Sequence, residues 1–305
     1  MPCQSGSPAL QTKSVTTIIA VTTAQFEMEN GLPLETSLSI LDRVGLRDVI
    51  VVHDTQAPNR SLVADAIRRH RNRFRRFDVV EVTEFETGKR WLAGIRRAFH
   101  RGADVVFLCP GDFTSKLSES RSLEKFITGC RDMLGQASRN RLVMGDYEVT
   151  EHFKEDFDTL ITRPAVDCLY PQLTHRLNAL GLTKMRTEFF ALGRVYFDEF
   201  MTAPFQWSAD PTVQLLLAGL LDPGSLEIVS VDLGDWFRDD SHMRSPLGQL
   251  YQAVRMVFSL AVDRLRLEQQ RGLPPTEQIE VCRQINTQLR QLTDQLLSVG
   301  RDLLK

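Results

Sequence analysis

The sequence predicts an α/β protein: a wound, mostly parallel β-sheet followed by a C-terminal helical hairpin. Two observations predict the sheet and one the hairpin. Short apolar, β-branched runs of four to seven residues recur early in the chain, the pattern of strands covered on both faces. Between them lie segments with apolar residues at helical spacing, and strands alternating with helices imply parallel pairing through right-handed crossovers. From about residue 246 the chain reads as helix, broken once at Leu273-Pro274-Pro275.

Taken in order, residues 15–21 (VTTIIAV) form the first strand, 34–44 a helix, and 48–52 (DVIVV) the second strand. The next helix and its exit turn carry Arg68, Arg69, Arg71, Arg73, Arg75 and Arg76. This block reads as a solvated face rather than a phosphate-binding patch, because no aromatics interleave at stacking spacing. Residues 79–82 (VVEV) are a third strand, 90–101 a helix with Leu92, Ile95, Ala98 and Phe99 on one face, and 103–108 (ADVVFL) a fourth strand. Farther on, 141–145 reads as a strand, 165–180 as one helix closed by Gly181 in the left-handed conformation, and 186–192 and 226–231 as extended pieces. Leu250, Val254, Phe258, Ala261 and Leu265 mark one stripe of the hairpin; Ile279, Cys282, Ile285, Leu289, Leu292 and Leu296 mark the other. The hairpin is expected to pack on the sheet or on a second subunit, which makes a homodimer or larger homo-oligomer the expected state.

Composition narrows the function. The 305 residues carry a net charge of −2, although thirty Arg stand against seven Lys, so no overall field gathers nucleic acid. No apolar run is long enough to span a bilayer, and residues 1–14, expected to be disordered, lack the apolar core of a signal peptide. Cys3, Cys109, Cys130, Cys168 and Cys282 are scattered and include no CxxC pair, which argues for reduced thiols and a cytoplasmic protein. GxSxG and GxGxxG are both absent, removing α/β-hydrolase and dinucleotide-binding readings. The cluster Asp146-Tyr147-Glu148 with Glu151 and His152 reads as surface acidity, since Val149-Thr150 disfavours the helix that would align Glu148 with His152.

In wound parallel sheets ligands sit at the carboxyl ends of the strands. There the sequence delivers Thr22-Thr23, His53-Asp54-Thr55, Thr83-Glu84 with Gly88-Lys89, and Pro110-Gly111-Asp112. Asp112 follows an apolar strand, where ligand-binding carboxylates of α/β proteins sit. Lys89 places a cation at a helix N-terminus, an unfavourable position unless an anion is near.

The order of these features over residues 15–250 resembles the GT-A fold of nucleotide-sugar glycosyltransferases, and within it the retaining glucosyl-3-phosphoglycerate and mannosylglycerate synthases. The motifs are VIVVHDTQAPNRS, FETGKRWLAGI, ADVVFLCPGD, RTEFFALGRVYFDEF, QWSADPTVQLLLAGL and EIVSVDLGDWFRDDSHMRSPLGQL. The resemblance implies that residues 15–145 form a nucleotide-sugar-binding half, 146–245 an acceptor-binding half of the same domain, and 246–305 a helical segment. It places Asp54 on the nucleotide base or ribose, and Thr22, Gly88, Lys89 and Gly111 around the donor. It puts Asp112 and His242 on a Mg²⁺ or Mn²⁺ ion, Glu188 near the reacting carbon, and Asp210 on the sugar, with Trp207 and Trp236 flanking these acids. Pro110 stands where the family's metal-binding Asp-x-Asp has its first carboxylate, and one carboxylate makes a weaker site for a hard cation.

The expected activity is transfer of a hexose from a nucleoside-diphosphate sugar to a small polar acceptor such as glycerate or phosphoglycerate, metal-dependent and retaining. Two alternatives stay open. A catalytically inactive GT-A-like scaffold would follow from loss of the first metal carboxylate. A sugar nucleotidyltransferase would need a Gly-rich, basic loop after the first strand, which AVTTAQFEMENG does not supply.

Overall fold

A computed structural model describes residues 16–24, 32–56, 60–83, 87–111, 120–147, 161–182, 185–203, 205, 211–222, 224–234 and 246–303 of the chain. The strands are β1 (Ile18–Ala24), β2 (Asp48–Asp54), β3 (Arg76–Val82), β4 (Val105–Pro110), β5 (Arg141–Asp146), β6 (Phe190–Gly193) and β7 (Glu227–Asp232). The described helices are α1 (Leu32–Val44), α2 (Arg60–His70), α3 (Thr87–His100), α4 (Ser120–Gln136), α5 (Arg163–Leu169), α6 (Thr174–Leu180), α7 (Arg194–Thr202), α8 (Pro211–Leu221), α9 (Pro246–Gln270) and α10 (Pro275–Leu303).

The strands form one sheet in the order β3-β2-β1-β4-β6-β5-β7. β1 pairs in parallel with β2 and β4, β2 with β3, and β5 with β7. β6 runs antiparallel to both its neighbours, so every strand except β6 points its carboxyl end to the same edge. β2 and β4 are buried along their whole length, as continuous apolar strands between two helical layers should be.

Strand alternation divides the core. Ala20, Val49, Val51, Val105, Phe107 and Cys109 face α1, α2 and α4, whereas Ile19, Val21, Ile50, Val52, Val106 and Leu108 face the larger layer that includes α3, α5 and α8. Gly94 sets how closely α3 lies on the sheet. A Cβ there would come within 2.5 Å of Val21 Cγ1 and 2.6 Å of Val52 Cγ2.

The hairpin of α9 and α10 packs against α5, and therefore on the helical layer rather than on the strands. Its buried face on α9 comprises Ala253, Met256, Val257, Leu260 and Ala261, with Val254 and Leu265 packed at its border; of the predicted stripe, Val254, Ala261 and Leu265 face the core and Phe258 is exposed. α9 carries more apolar residues than one face holds, and on its inner side the hydroxyl of Tyr170 donates to the Leu260 carbonyl at 2.9 Å. On α10, Ile285, Leu292 and Leu296 are buried, but Ile279 and Cys282 are exposed. The single helix expected over 165–180 is two, broken where Pro171 opens a 3-10 turn, because proline lacks the N–H that would continue α5. Gly181 does close α6 at φ +62°. No helix among the described residues is long and apolar enough to cross a membrane.

Candidate active site

The parallel register brings four strand ends level. Thr23 lies opposite Val52 and Pro110, Ala24 opposite His53, and Asp54 opposite Val82. Two hydrogen bonds extend the ladder past the strands, Thr55 N–H to Val82 O at 3.1 Å and Gly111 N–H to Thr23 O at 3.1 Å. Gly111 is also anchored from the helical layer, since its carbonyl accepts the Ser37 hydroxyl at 2.7 Å. The Asp54 carboxylate is buried and accepts the Gln56 N–H at 2.9 Å, closing a turn at the end of β2.

Alternation sends these side chains two ways. Thr23 and Asp54 continue the face of Val21 and Val52 that α3 covers; Thr22 and His53 continue the face of Ala20 and Val51 toward α1 and α2. α3 starts at this edge because β3 ends there. Its first turn holds Gly88, buried, and Lys89, exposed, and adds the partial positive charge of a helix N-terminus. Trp91 follows, buried with its ring 5.9 Å from that of Phe190.

The rim is notable for what is left unpaired. The hydroxyls of Thr22 and Thr23, Nε2 of His53 and Nε1 of Trp91 are all buried with no hydrogen-bond partner among the described residues. A buried polar atom without a partner costs about 1–3 kcal/mol, and natural structures carry few of them. Three of the four stand at strand ends and one on α3, which makes this edge the candidate ligand surface. Burial holds the His53 pKa below its usual value, against the opposing pull of Glu81 and Asp54, so the imidazole stays neutral near pH 7.

The edge continues across the second half of the sheet. Leu108 pairs with Phe190 in the antiparallel β4–β6 ladder, and continuing that register puts Glu188, two residues earlier and half-buried, level with Pro110 at the end of β4. The preceding Thr187 hydroxyl donates to Gly145 O at 2.6 Å, tying this segment to β5. Asp146 and Asp232 end β5 and β7 opposite each other. Asp232 accepts the Gly234 N–H at 2.7 Å and borders a cleft of about 680 Å³ that Lys125, Thr128 and Asp132 of α4 also line.

The structure thus brings Thr22, Asp54, Gly88, Lys89, Gly111 and Glu188 to one edge. Asp112, His242 and Asp210 lie outside the described residues, as do Trp207, Trp236, Glu148, Glu151 and His152. Among the described residues no three His, Cys, Asp or Glu side chains group as a metal site. Sequence reasoning did not single out Trp91 or Asp232. An indole four residues into a helix reads as core, and Asp232 is one acid in an acidic stretch; the start of α3 and the β5–β7 register place them at the carboxyl edge of the sheet.

This arrangement is that of the GT-A fold: a parallel four-stranded half, one antiparallel strand, and a second parallel pair sharing the same rim. The sequence matches no protein-family model and no curated protein. Its architecture is similar to that of glucosyl-3-phosphoglycerate synthase from Mycobacterium tuberculosis. In the complex of that enzyme with Mn²⁺, UDP-glucose and phosphoglyceric acid, the TM-score is 0.59 at 15% identity, over 85% of this chain and 81% of the other. The complex with Mn²⁺, UDP and glucosyl-3-phosphoglycerate gives 0.58 at 16% identity, over 82% and 80%. A further structure of the same enzyme gives 0.58 at 16% identity, over 85% and 82%. Likeness at this identity establishes the fold.

Proposed function

We propose that this chain is a GT-A glycosyltransferase that moves a hexose from a nucleoside-diphosphate sugar to a small polar acceptor such as glycerate or phosphoglycerate, with retention of configuration. The observation that carries this reading is the set of buried polar atoms without partners among the described residues at the carboxyl edge of the sheet, Thr23 and Trp91 on the face of α3 and Thr22 and His53 on the other, in a fold shared with an enzyme crystallised with UDP-glucose and phosphoglyceric acid.

In this reading Asp54 accepts hydrogen bonds from the base or ribose, and Thr22, Thr23 and the neutral His53 satisfy their free atoms on the nucleotide. The N-terminus of α3 and Lys89 neutralise the diphosphate as charge builds on it at bond cleavage; such preorganised electrostatics supply most of the catalysis of group transfer. The peptide at Gly111 leaves room for close approach of the phosphates. Asp112 and His242 together offer one carboxylate and one imidazole, a donor set that suits Mn²⁺ and also admits Mg²⁺. Such an ion supplies charge neutralisation between the phosphates. Glu188 faces the positively charged sugar and its acceptor, and Asp210 contacts the sugar hydroxyls. A cytoplasmic location accords with reduced thiols.

The same reading assigns a homodimer. Tyr251, Phe258 and Val262 lie on one face of α9 and are 62%, 54% and 38% exposed. Two such faces meeting about a two-fold axis would cover each other.

The test is thermal unfolding with UDP-, GDP- and ADP-sugars, with and without Mn²⁺. A donor at a hundred times its Kd stabilises by about 2.7 kcal/mol, or about 4 °C for a chain of this size. A metal-dependent rise for one donor, abolished in Asp112→Ala, supports the reading. No rise with any donor sinks it and leaves the scaffold.

A further inference from the structure

At the opposite edge of the sheet, where β2 and β3 begin, a cleft of about 620 Å³ is lined by Arg71, Asn72, Arg75, Arg76 and Arg101, with a floor that includes Ile50, Phe74 and Phe77. Two carboxylates also line it, Asp48 and Asp78, and both are engaged. The buried Asp48 takes Arg75 in a two-pronged pair at 3.0 and 2.6 Å. Asp78 takes Arg97 at 2.7 Å and Arg101 at 2.9 Å. Elsewhere in the same block, Arg68 pairs with Asp65, Arg69 with Glu35, and Arg73 reaches the Ser39 hydroxyl at 3.4 Å. The guanidinium groups of Arg71 and Arg76 have no partner among the described residues, and the four lining arginines exceed the two aspartates by two positive charges.

We propose that this cleft binds a phosphate monoester with an apolar or aromatic body. The forks of Arg71 and Arg76 match a phosphoryl group's oxygens two at a time, a geometry a lysine ammonium does not offer. Asp48 and Asp78 hold the neighbouring arginines in place as fixed walls, so the two free forks act on a preformed frame. Phe74 and Phe77, with rings 5.7 Å apart on the face that α1 and α2 cover, supply apolar lining to the same cleft. The volume is that of a small-molecule site, and a net charge of −2 on the whole chain disfavours an extended polyanion. β2 runs seven residues from Asp48 to Asp54, about 20 Å at strand rise, so this site is separate from the donor edge and does not depend on the reading given for it.

Calorimetric titration of the full chain with phenyl phosphate tests the proposal, with inorganic phosphate, phenol and a single-stranded oligonucleotide as comparison ligands. Saturable binding of phenyl phosphate, tighter than phosphate and absent for phenol, is expected. Each lost fork should weaken it about tenfold, first in R71A/R76A and, to the same sense with shape kept, in R71Q/R76Q, while K89A binds as the parent does. Both arginines are exposed and unpaired, so an unchanged thermal midpoint verifies that the variants are folded. The proposal falls if phenyl phosphate does not saturate, if both double variants bind as the parent does, if K89A alone loses binding, or if only the oligonucleotide binds.

Discussion

Replacing Gly94 by alanine tests how α3, and with it the Gly88-Lys89 turn, is held on the sheet. The new methyl would lie 2.5 Å from Val21 Cγ1 and 2.6 Å from Val52 Cγ2, where ordinary contact begins near 3.4 Å. The helix must therefore retreat by about 1 Å from two strands, because both valines are fully buried and stiff at χ1. Overpacking of this kind costs about 1–3 kcal/mol, and with neither neighbour able to turn away the upper half of that range applies. Alanine recovers about 1 kcal/mol in helix propensity, leaving a net loss of about 1–2 kcal/mol. Gly135 is the internal control. It is exposed near the end of α4, an added Cβ there meets nothing within 4 Å, and Gly135→Ala should gain about 0.5–1 kcal/mol. Urea unfolding followed by far-UV circular dichroism reads both as midpoint shifts at constant slope. The two substitutions should move the midpoint in opposite directions. If Gly94→Ala were as stable as the parent, or shared the gain of Gly135→Ala, the close helix-to-sheet contact would be refuted, and with it the account of what positions Lys89.

The remaining predictions concern pH and assembly. Burial lowers the pKa of His53 and of His70, the latter with help from Arg73, so both are neutral when folded and protonate near pH 6.5 when unfolded. Their contribution to stability is complete above pH 6.5 and declines as pH falls through 6.5 toward the folded values, since in that window the unfolded chain binds the extra protons. Urea midpoints at pH 7.5 and 5.5 should fall in that order, and a His53→Asn/His70→Asn variant should show a smaller drop; an equal drop would remove the assignment. For assembly, Phe258→Asp on α9 should convert a dimer to monomers in sedimentation equilibrium, whereas a parent chain already monomeric at micromolar concentration would dispose of the proposed interface.

Much of the first half of the fold could be read from residue order. The runs VTTIIAV, DVIVV and ADVVFL mark strands buried on both faces because no half-exposed strand tolerates such continuity, and the helices between them force parallel pairing and name the ligand edge. Thr22, Asp54, Gly88, Lys89, Gly111 and Glu188 follow from that rule and from the resemblance, and all six meet at one edge. The reading failed where a local pattern had more than one solution. In α9 the predicted stripe faces the core at Val254, Ala261 and Leu265 but not at Phe258, because the helix also buries Ala253, Met256, Val257 and Leu260 where it packs toward α5. The arginine block is a solvated face as expected, with all six side chains exposed, but residue order does not show that Arg69 and Arg75 pair with Glu35 and Asp48 from other segments or that Arg71 and Arg76 line a cleft.

What the chain by itself determined is periodic: which segments are strands, which are helices, and which strand ends carry polar residues, because hydrophobic spacing is a local property. What only tertiary structure decided is pairing. That Thr22, Thr23, His53 and Trp91 bury polar atoms with no partner among the described residues, and that Asp48 and Asp78 are engaged by Arg75, Arg97 and Arg101, depends on groups brought together across the sheet. Hydrogen bonds and ion pairs act over a few ångströms regardless of separation along the chain, so their presence or absence becomes visible only once the strands have taken their register.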